Sequence, residues 1–309
     1  MSSYFRRNSL VDLHTRYGYA SFGFKDTSNQ LDHKYGDRHL YQHLCSLNSK
    51  SEIKAPEAEK LYFNFDLIQS FSVHKAGNQV DDCEDIWHQS AHDRRSEPRV
   101  SIALSDGATE SSFAREWAQE LVTAFVGRDL PWDDVYDYIA KSWLLPLQMT
   151  WQQWLANQNL SWFAKRKAGE GAFATFLSLE ISANLSWQAL AVGDSCLFVV
   201  RDRHLSKSFP LQQSHEFNNR PRLIGTHSNV EHISFSKING VAQIGDRFYL
   251  TTDAIACWIF KQLESNQDPW VILDELSSQD LFAEWVTELR DRHQIANDDT
   301  TLLCLEIKR

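Results

Sequence analysis

Five acidic spots in this 309-residue chain share one property: each stands at the end of an apolar run, or in the turn beside one. Asp106 closes RVSIALS and is followed by Gly107. Asp194 sits in Gly193-Asp194-Ser195, between two apolar runs. Asp253 follows RFYLTT, and Asp298 and Asp299 precede TTLLCLEI. Asp81 and Asp82 follow an early aromatic run and the turn-like Ala76-Gly77-Asn78. Strand ends fix side chains more firmly than loops do. Carboxylates gathered there repel one another and hold their protons more tightly. Hard divalent cations such as Mg²⁺ and Mn²⁺ relieve that conflict, because they take oxygen ligands. A glycine after Asp106 lets the backbone come close to an ion, so that the Gly107 carbonyl could serve as a ligand. Singly, each Asp reads more readily as a turn former that bonds its own backbone. Spacing alone does not bring the five spots together.

The elements that would position them are legible as patterns. Residues 61–74 (LYFNFDLIQSFSVH) are aromatic and partly alternating, which predicts a strand. Further strands are expected at Arg99–Ser105, Ala172–Ile181, Leu185–Val192, Cys196–Arg201, Arg247–Thr252 and Thr300–Ile307. Apolar residues at Phe113, Ala114, Trp117, Leu121, Val122 and Phe125 have helical spacing, with Ser111 and Ser112 where an N-cap would stand. Trp132–Lys167 reads as helix broken near Pro146, its tryptophans Trp143, Trp151, Trp154 and Trp162 expected to pack on a sheet. A last helix is expected over about 270–293. Strands and helices do not alternate regularly, so antiparallel sheets flanked by helices, an α+β domain, fit better than a doubly wound parallel sheet.

The formal net charge of −10 argues against a general nucleic-acid binder and against docking on an anionic membrane, although a local basic patch is compatible with it. Eleven Trp and 18 Phe supply ample bulk for a core. The five cysteines (Cys45, Cys83, Cys196, Cys257, Cys304) are odd in number and form no CxxC pair. That excludes a disulfide framework; Cys196, Cys257 and Cys304 sit in apolar runs and are expected to be buried free thiols, which fits a reducing, cytoplasmic compartment. The first residues lack the apolar core of a signal peptide, and no run reaches the length of a membrane span. Residues 1–60 read as a polar N-terminal extension, with 46–60 a linker, and 61–309 as the folded domain. His39 and His43, near Cys45, are too few ligands to argue for a metal site.

The order of the motifs carries a resemblance. Asp-Asp after a first strand, Ser-Asp-Gly ending a strand, Ala-Thr in a strand, Gly-Asp-Ser, Thr-Thr-Asp-Ala, and Asn-Asp-Asp-Thr-Thr before a final strand resemble the PP2C family of metal-dependent phosphatases. The likeness spans about residues 61–309 and is greatest to the bacterial branch with Asp-Ala in the late motif. It implies a sandwich of two central antiparallel β-sheets flanked by α-helices, with two Mn²⁺ or Mg²⁺ ions at one end. It implies that Asp106 bridges both ions, with the Gly107 carbonyl on one. It places Asp82 on or near that centre, Asp81 where the family usually has Glu, and Asp253 and Asp298 on the other ion. Asp194 matches the position of a third, weaker metal. Asp106 and Asp253 are thus the expected catalytic carboxylates. The implied substrate is a phosphorylated protein, with a cognate serine/threonine kinase as counterpart; neither nucleic acid nor membrane is an expected partner.

The pattern also departs from the family. The phosphate-binding Arg expected four residues before the first acidic position is replaced by Gly77, leaving His74 and Lys75 as substitutes. A His sometimes found after Asp-Gly is here Ala108, and the Arg often following Gly-Asp-Ser is Cys196. These losses keep a second reading open: a catalytically weak regulatory or phosphopeptide-binding module on the same fold. A two-metal nuclease is a third reading, disfavoured by the acidic charge.

Overall fold

The structure, a computed structural model, describes residues 64–94, 97–126, 139–218 and 220–309. The extension over 1–60, with His39, His43, Cys45 and the linker, lies outside the described residues.

Two five-stranded antiparallel sheets form the centre. The first has the order β1-β12-β11-β7-β8, from β1 (Asn64–Val73), β7 (Cys196–Arg201), β8 (His204–Phe209), β11 (Arg247–Thr251) and β12 (Thr300–Lys308). The second has the order β10-β6-β5-β3-β2, from β2 (Asp85–Arg94), β3 (Glu97–Asp106), β5 (Phe176–Ser182), β6 (Ser186–Val192) and β10 (Ser236–Val241). The short β4 (Phe173–Ala174) pairs with β9 (Ile224–Gly225). Helices α1 (Ala114–Phe125), α2 (Leu145–Ala156) and α3 (Trp162–Gly169) lie in the chain between β3 and β4. Helices α4 (Asp253–Glu264), α5 (Pro269–Glu275) and α6 (Gln279–Asp291) lie between β11 and β12.

Three apolar layers hold this together. Ile102, Leu104, Leu177 and Leu179 of one sheet meet Leu197, Val199, Phe248, Leu250 and Leu303 of the other. The opposite face of the second sheet, with Ala103, Phe176 and Leu190, packs on Trp117, Leu121, Phe125, Trp143 and Trp151. The opposite face of the first, with Phe198, Tyr249 and Leu302, packs on Ile255, Ile259, Trp270 and Phe282. The central strands are therefore buried on both faces, which is why they read as continuous apolar runs. The architecture is the expected α+β sandwich of two antiparallel sheets flanked by helices.

Local departures have local causes. The strand β2 has no counterpart in the sequence reading: its DIWHQSAHDR is polar, as suits an edge strand, and Trp87, His88, Gln89 and Ser90 are partly or fully exposed. Ser111 does not cap α1; its hydroxyl donates to the Ala108 carbonyl, and the helix starts from Phe113 in the left-handed region at φ +65°. The helical run changes at Pro146 as expected: a π-helix over Ile139–Leu144 gives way to α2, which Pro146 enters in its first turn, where a missing N–H costs little. The last predicted helix is two helices, α5 and α6. Trp143 and Trp151 pack on a sheet as expected, whereas Trp162 is 75% exposed.

Candidate metal centre

The pairing puts the ends of several strands at one edge of the sandwich. Asp85, first residue of β2, stands opposite Asp106, last residue of β3. Thr251, the last residue of β11, pairs with Cys196, the first of β7, and with Leu302 near the start of β12. Asp253 opens α4 directly after β11, where the positive end of the helix favours its charge. The Thr252 hydroxyl joins the two sheets: it donates to Asp85 Oδ2 (3.0 Å) and accepts from the Thr301 amide (2.9 Å).

The result is a crowd of carboxylates with mutual repulsion. Asp106 is pushed well above the usual carboxylate range by burial, then by the charges of Asp85, Asp253, Asp298 and Asp194. Asp85 is likewise pushed well up by burial and by Asp299, against the pull of Thr301 and Thr252. Burial and the neighbouring Asp253 raise Asp194 to about 7, and burial and Asp298 raise Asp253 to about 6. Glu84 is also raised, chiefly by burial.

Two oxygens of this group, Asp85 Oδ1 and Asp253 Oδ1, are buried with no hydrogen-bond partner. A buried carboxylate oxygen without a partner is costly. A hard cation is the kind of group that would satisfy both, so the donor set fits Mg²⁺ or Mn²⁺. As the side chains stand, no three His, Cys, Asp or Glu among the described residues are arranged to enclose an ion.

The backbone beneath is tightly specified. The Asp106 amide donates to Thr175 Oγ1 (3.0 Å), the Thr175 amide donates to the Asp106 carbonyl (2.8 Å), and Thr175 and Ser195 share a hydroxyl contact (3.0 Å). A Cβ on Gly107 would stand 2.9 Å from the Ala114 carbonyl carbon, so α1 can approach the Asp106 strand end only because position 107 is glycine. Gly193, at φ +106°, lets the turn before Asp194 close over Thr175.

The two residues at the last acidic spot divide their work. Asp299 is 5% exposed and spent on backbone: Oδ1 accepts from the Lys75 amide (2.7 Å) and Oδ2 from the Glu84 amide (2.6 Å). Asp298 presents its charge to Asp106 and Asp253. Its Oδ1 accepts from the Asp299 amide (3.0 Å) and, more weakly, from Lys75 Nζ (3.4 Å).

The early acidic pair is where the structure departs from the sequence reading. Asp81 and Asp82 lie exposed in a short 3-10 turn, and Asp82 accepts from the Gln79 amide at the start of that turn. The charge that acts most strongly on Asp106 is that of Asp85, with Glu84 before it in the chain. Asp85 obeys the same strand-end rule as the other spots, but the strand it opens is too polar to be recognised. Counting four residues back from Glu84 gives Val80, 73% exposed, so the phosphate-binding Arg is missing in this register as well. Of the two substitutes, Lys75 reaches the centre: its Nζ donates to Thr109 Oγ1 (3.2 Å) and pairs with Asp298. His74 does not, since its Nδ1 meets the Lys75 carbonyl (3.1 Å).

A further residue escapes the sequence reading. Arg290 of α6 donates to the His74 carbonyl (3.1 Å), to the Asp298 carbonyl (2.5 Å) and to Thr300 Oγ1 (3.3 Å). It ties the end of β1 to the loop that carries Asp298. On a predicted amphipathic helix an Arg reads as solvated, so no sequence signal marks it.

This architecture is that of the PP2C-type phosphatases. The serine/threonine phosphatase Stp1 from Staphylococcus aureus superposes with a TM-score of 0.54 at 13% identity, over 78% of this chain and 94% of that one. The Mycobacterium tuberculosis serine/threonine phosphatase PstP/Ppp gives 0.52 at 16% identity, over 81% and 100%. A bacterial serine phosphatase gives 0.52 at 12% identity, over 78% and 97%. No family model matches the sequence, and no curated protein matches it.

Proposed function

We propose that this chain is a metal-dependent phosphoprotein phosphatase acting on phosphoserine or phosphothreonine. The observation that carries it is the Asp85–Asp106 pair at one end of a PP2C-type sandwich, with the charges of Asp253 and Asp298 acting on Asp106 and two buried carboxylate oxygens unpartnered. Asp85, Asp106, Asp253 and Asp298 would hold two Mn²⁺ or Mg²⁺ ions, with the Gly107 carbonyl as a further ligand and Asp194 beside a third. Such a pair supplies Lewis acidity and an ionised water at neutral pH.

The chain's own residues do the rest. Thr252, itself held by the Thr301 amide, fixes Asp85 by a hydrogen bond, so its orientation is set before substrate arrives. Thr175 fixes the backbone of Asp106 in the same way. Lys75, whose ammonium lies between Thr109 and Asp298, is the cation placed to meet a phosphoryl oxygen; it lacks the fork of an Arg and grips less specifically. The buried thiols are unsuited to nucleophilic attack: burial pushes Cys83 up to about 12 and Cys196 well above its usual range. Hydrolysis without a phosphocysteine intermediate agrees with that.

The absence of Arg at both Gly77 and Val80 favours one second reading, a weakly active module that binds phosphopeptides. Hydrolysis of a phosphothreonine peptide with Mn²⁺, with Mg²⁺ and with chelator, beside Asp106→Ala, separates the two. Metal-dependent turnover lost in the variant supports the phosphatase. Metal binding by calorimetry without turnover supports the module, and neither would return the acidic residues to turn formers. Among the described residues no helix is long and apolar enough to cross a membrane; a cytoplasmic location is our reading of the free cysteines.

A further inference from the structure

Helix α3 is unlike the other helices of the domain. Of its eight residues only Ala168 is buried. Trp162 and Phe163 are 75% and 47% exposed, where large apolar side chains would ordinarily find a core. The three residues that follow Ala164 are Lys165, Arg166 and Lys167, all exposed and paired with no carboxylate among the described residues. The Arg166 guanidinium lies 5.8 Å from the Trp162 ring centre and 5.4 Å from that of Phe163, and Lys167 Nζ lies 6.0 Å from Phe163. A cationic surface with its aromatic rings held by cation–π contacts thus stands on a chain of net charge −10.

The position of α3 gives this patch a use. Its last residue is followed within four by Phe173, whose carbonyl accepts from the Ala108 amide (2.9 Å), two residues from Asp106. Lys167 stands six positions before Phe173, so it lies within about 20 Å of Phe173 at full extension. A peptide of about six residues spans the same distance. The centre itself is rich in carboxylates and poor in cations, so an anionic chain approaching it needs positive charge elsewhere.

Resting on the phosphatase reading, we infer that α3 is a docking site for an acidic segment of the phosphoprotein substrate, about six residues from its phosphorylated residue. Lys165, Arg166 and Lys167 meet the carboxylates, and Trp162 and Phe163 cover the peptide's apolar stems. A lipid surface would also suit aromatic and basic groups, but three cations on a strongly acidic chain are a weak membrane anchor.

The test compares the full chain with the triple variant Lys165→Glu, Arg166→Glu, Lys167→Glu and with Trp162→Ala/Phe163→Ala. Three substrates are used: an aryl phosphate, a phosphothreonine peptide with a Glu-rich segment six residues away, and the same peptide with Gln in place of Glu. The expected result is that the triple variant loses about tenfold in kcat/KM on the Glu peptide at low salt, and much less at high salt. Turnover of the aryl phosphate and the Gln peptide should stay unchanged. Equal kinetics on both peptides, with aryl phosphate hydrolysed, overturns the docking site and leaves the phosphatase standing. If the aryl phosphate is not hydrolysed, the phosphatase reading fails; binding of the labelled Glu peptide in chelator, weakened by charge reversal, still decides the patch. Binding to phosphatidylglycerol vesicles but not to the peptide overturns the inference in favour of a membrane contact.

Discussion

Asp85 and Asp106 face each other as a directly opposed pair across β2 and β3, two carboxylates at one strand end. Opposed like charges on a sheet are destabilising unless something offsets them. The pair therefore predicts where metal dependence resides. Asp85→Ala should lower metal-dependent turnover by about a hundredfold or more, beyond the loss typical of a residue that only supports a ligand. Asp81→Ala and Asp82→Ala should change it by no more than about twofold, as surface substitutions do. Kinetics against Mn²⁺ concentration check this: similar losses in Asp82→Ala and Asp85→Ala would return the centre to the 3-10 turn.

Much of the frame was legible from residues. β7, β11 and β12 are buried on both faces and read as uninterrupted apolar runs, so their limits were visible within a residue or so. Asp194, Asp253 and Asp298 were marked by those runs, and Asp106 by the apolar run of β3. What was not legible lies where burial is partial or omnidirectional. The edge strands β2 and β10 carry polar residues, so their alternation is weak. Helix α4 buries Ala254, Ile255, Ala256, Trp258, Ile259 and Phe260 almost all round, and such a run lacks the stripe that marks an amphipathic helix. Glu84 and Asp85 were missed because the strand they introduce was missed.

The carboxylate crowd makes an inverted pH dependence of stability. Asp194 and Asp253 hold protons in the folded state up to about 7 and about 6, against an ordinary value of 3.8. The folded state thus binds protons more tightly than the unfolded chain. Their contribution is complete below pH 3.8 and is lost as pH rises towards 7, on the order of a few kcal/mol in all. In chelator, the midpoint of thermal unfolding should fall between pH 5 and pH 7 at about constant ionic strength, and added Mn²⁺ should restore it. Asp106→Asn should flatten the slope and raise stability in chelator while abolishing turnover. A midpoint rising with pH in chelator would mean that the carboxylates do not meet.

Gly193 provides a test of the turn independent of any metal. A Cβ there would stand 2.8 Å from Thr175 Cβ, and the φ of +106° is one that other residues rarely adopt. Gly193→Ala should cost about 1–3 kcal/mol from backbone strain, with the clash adding to it. Because Thr175 also holds the Asp106 amide, turnover should fall further than stability alone explains. Urea unfolding beside kcat measured well below the midpoint separates the two effects.

Arg290 offers the sharpest separation of positioning from folding. Its guanidinium joins the His74 carbonyl to the Asp298 carbonyl, while its Nε is buried without a partner. Burial holds its pKa below the usual guanidinium range, against the pull of Asp299 and Asp298, so the charge is retained at a cost. Arg290→Ala should remove both carbonyl contacts and leave the Asp298 loop free to shift, weakening metal affinity by about 10- to 100-fold. Arg290→Lys keeps the charge but supplies one compact donor group instead of the planar fork, so it should recover only part of that affinity. Calorimetric titration with Mn²⁺ on both variants, beside their unfolding midpoints, decides the matter. If the lysine variant restored stability but no metal affinity, Arg290 would position the loop by geometry rather than by charge; if neither variant altered metal affinity, the arginine would serve only to hold α6 against β1.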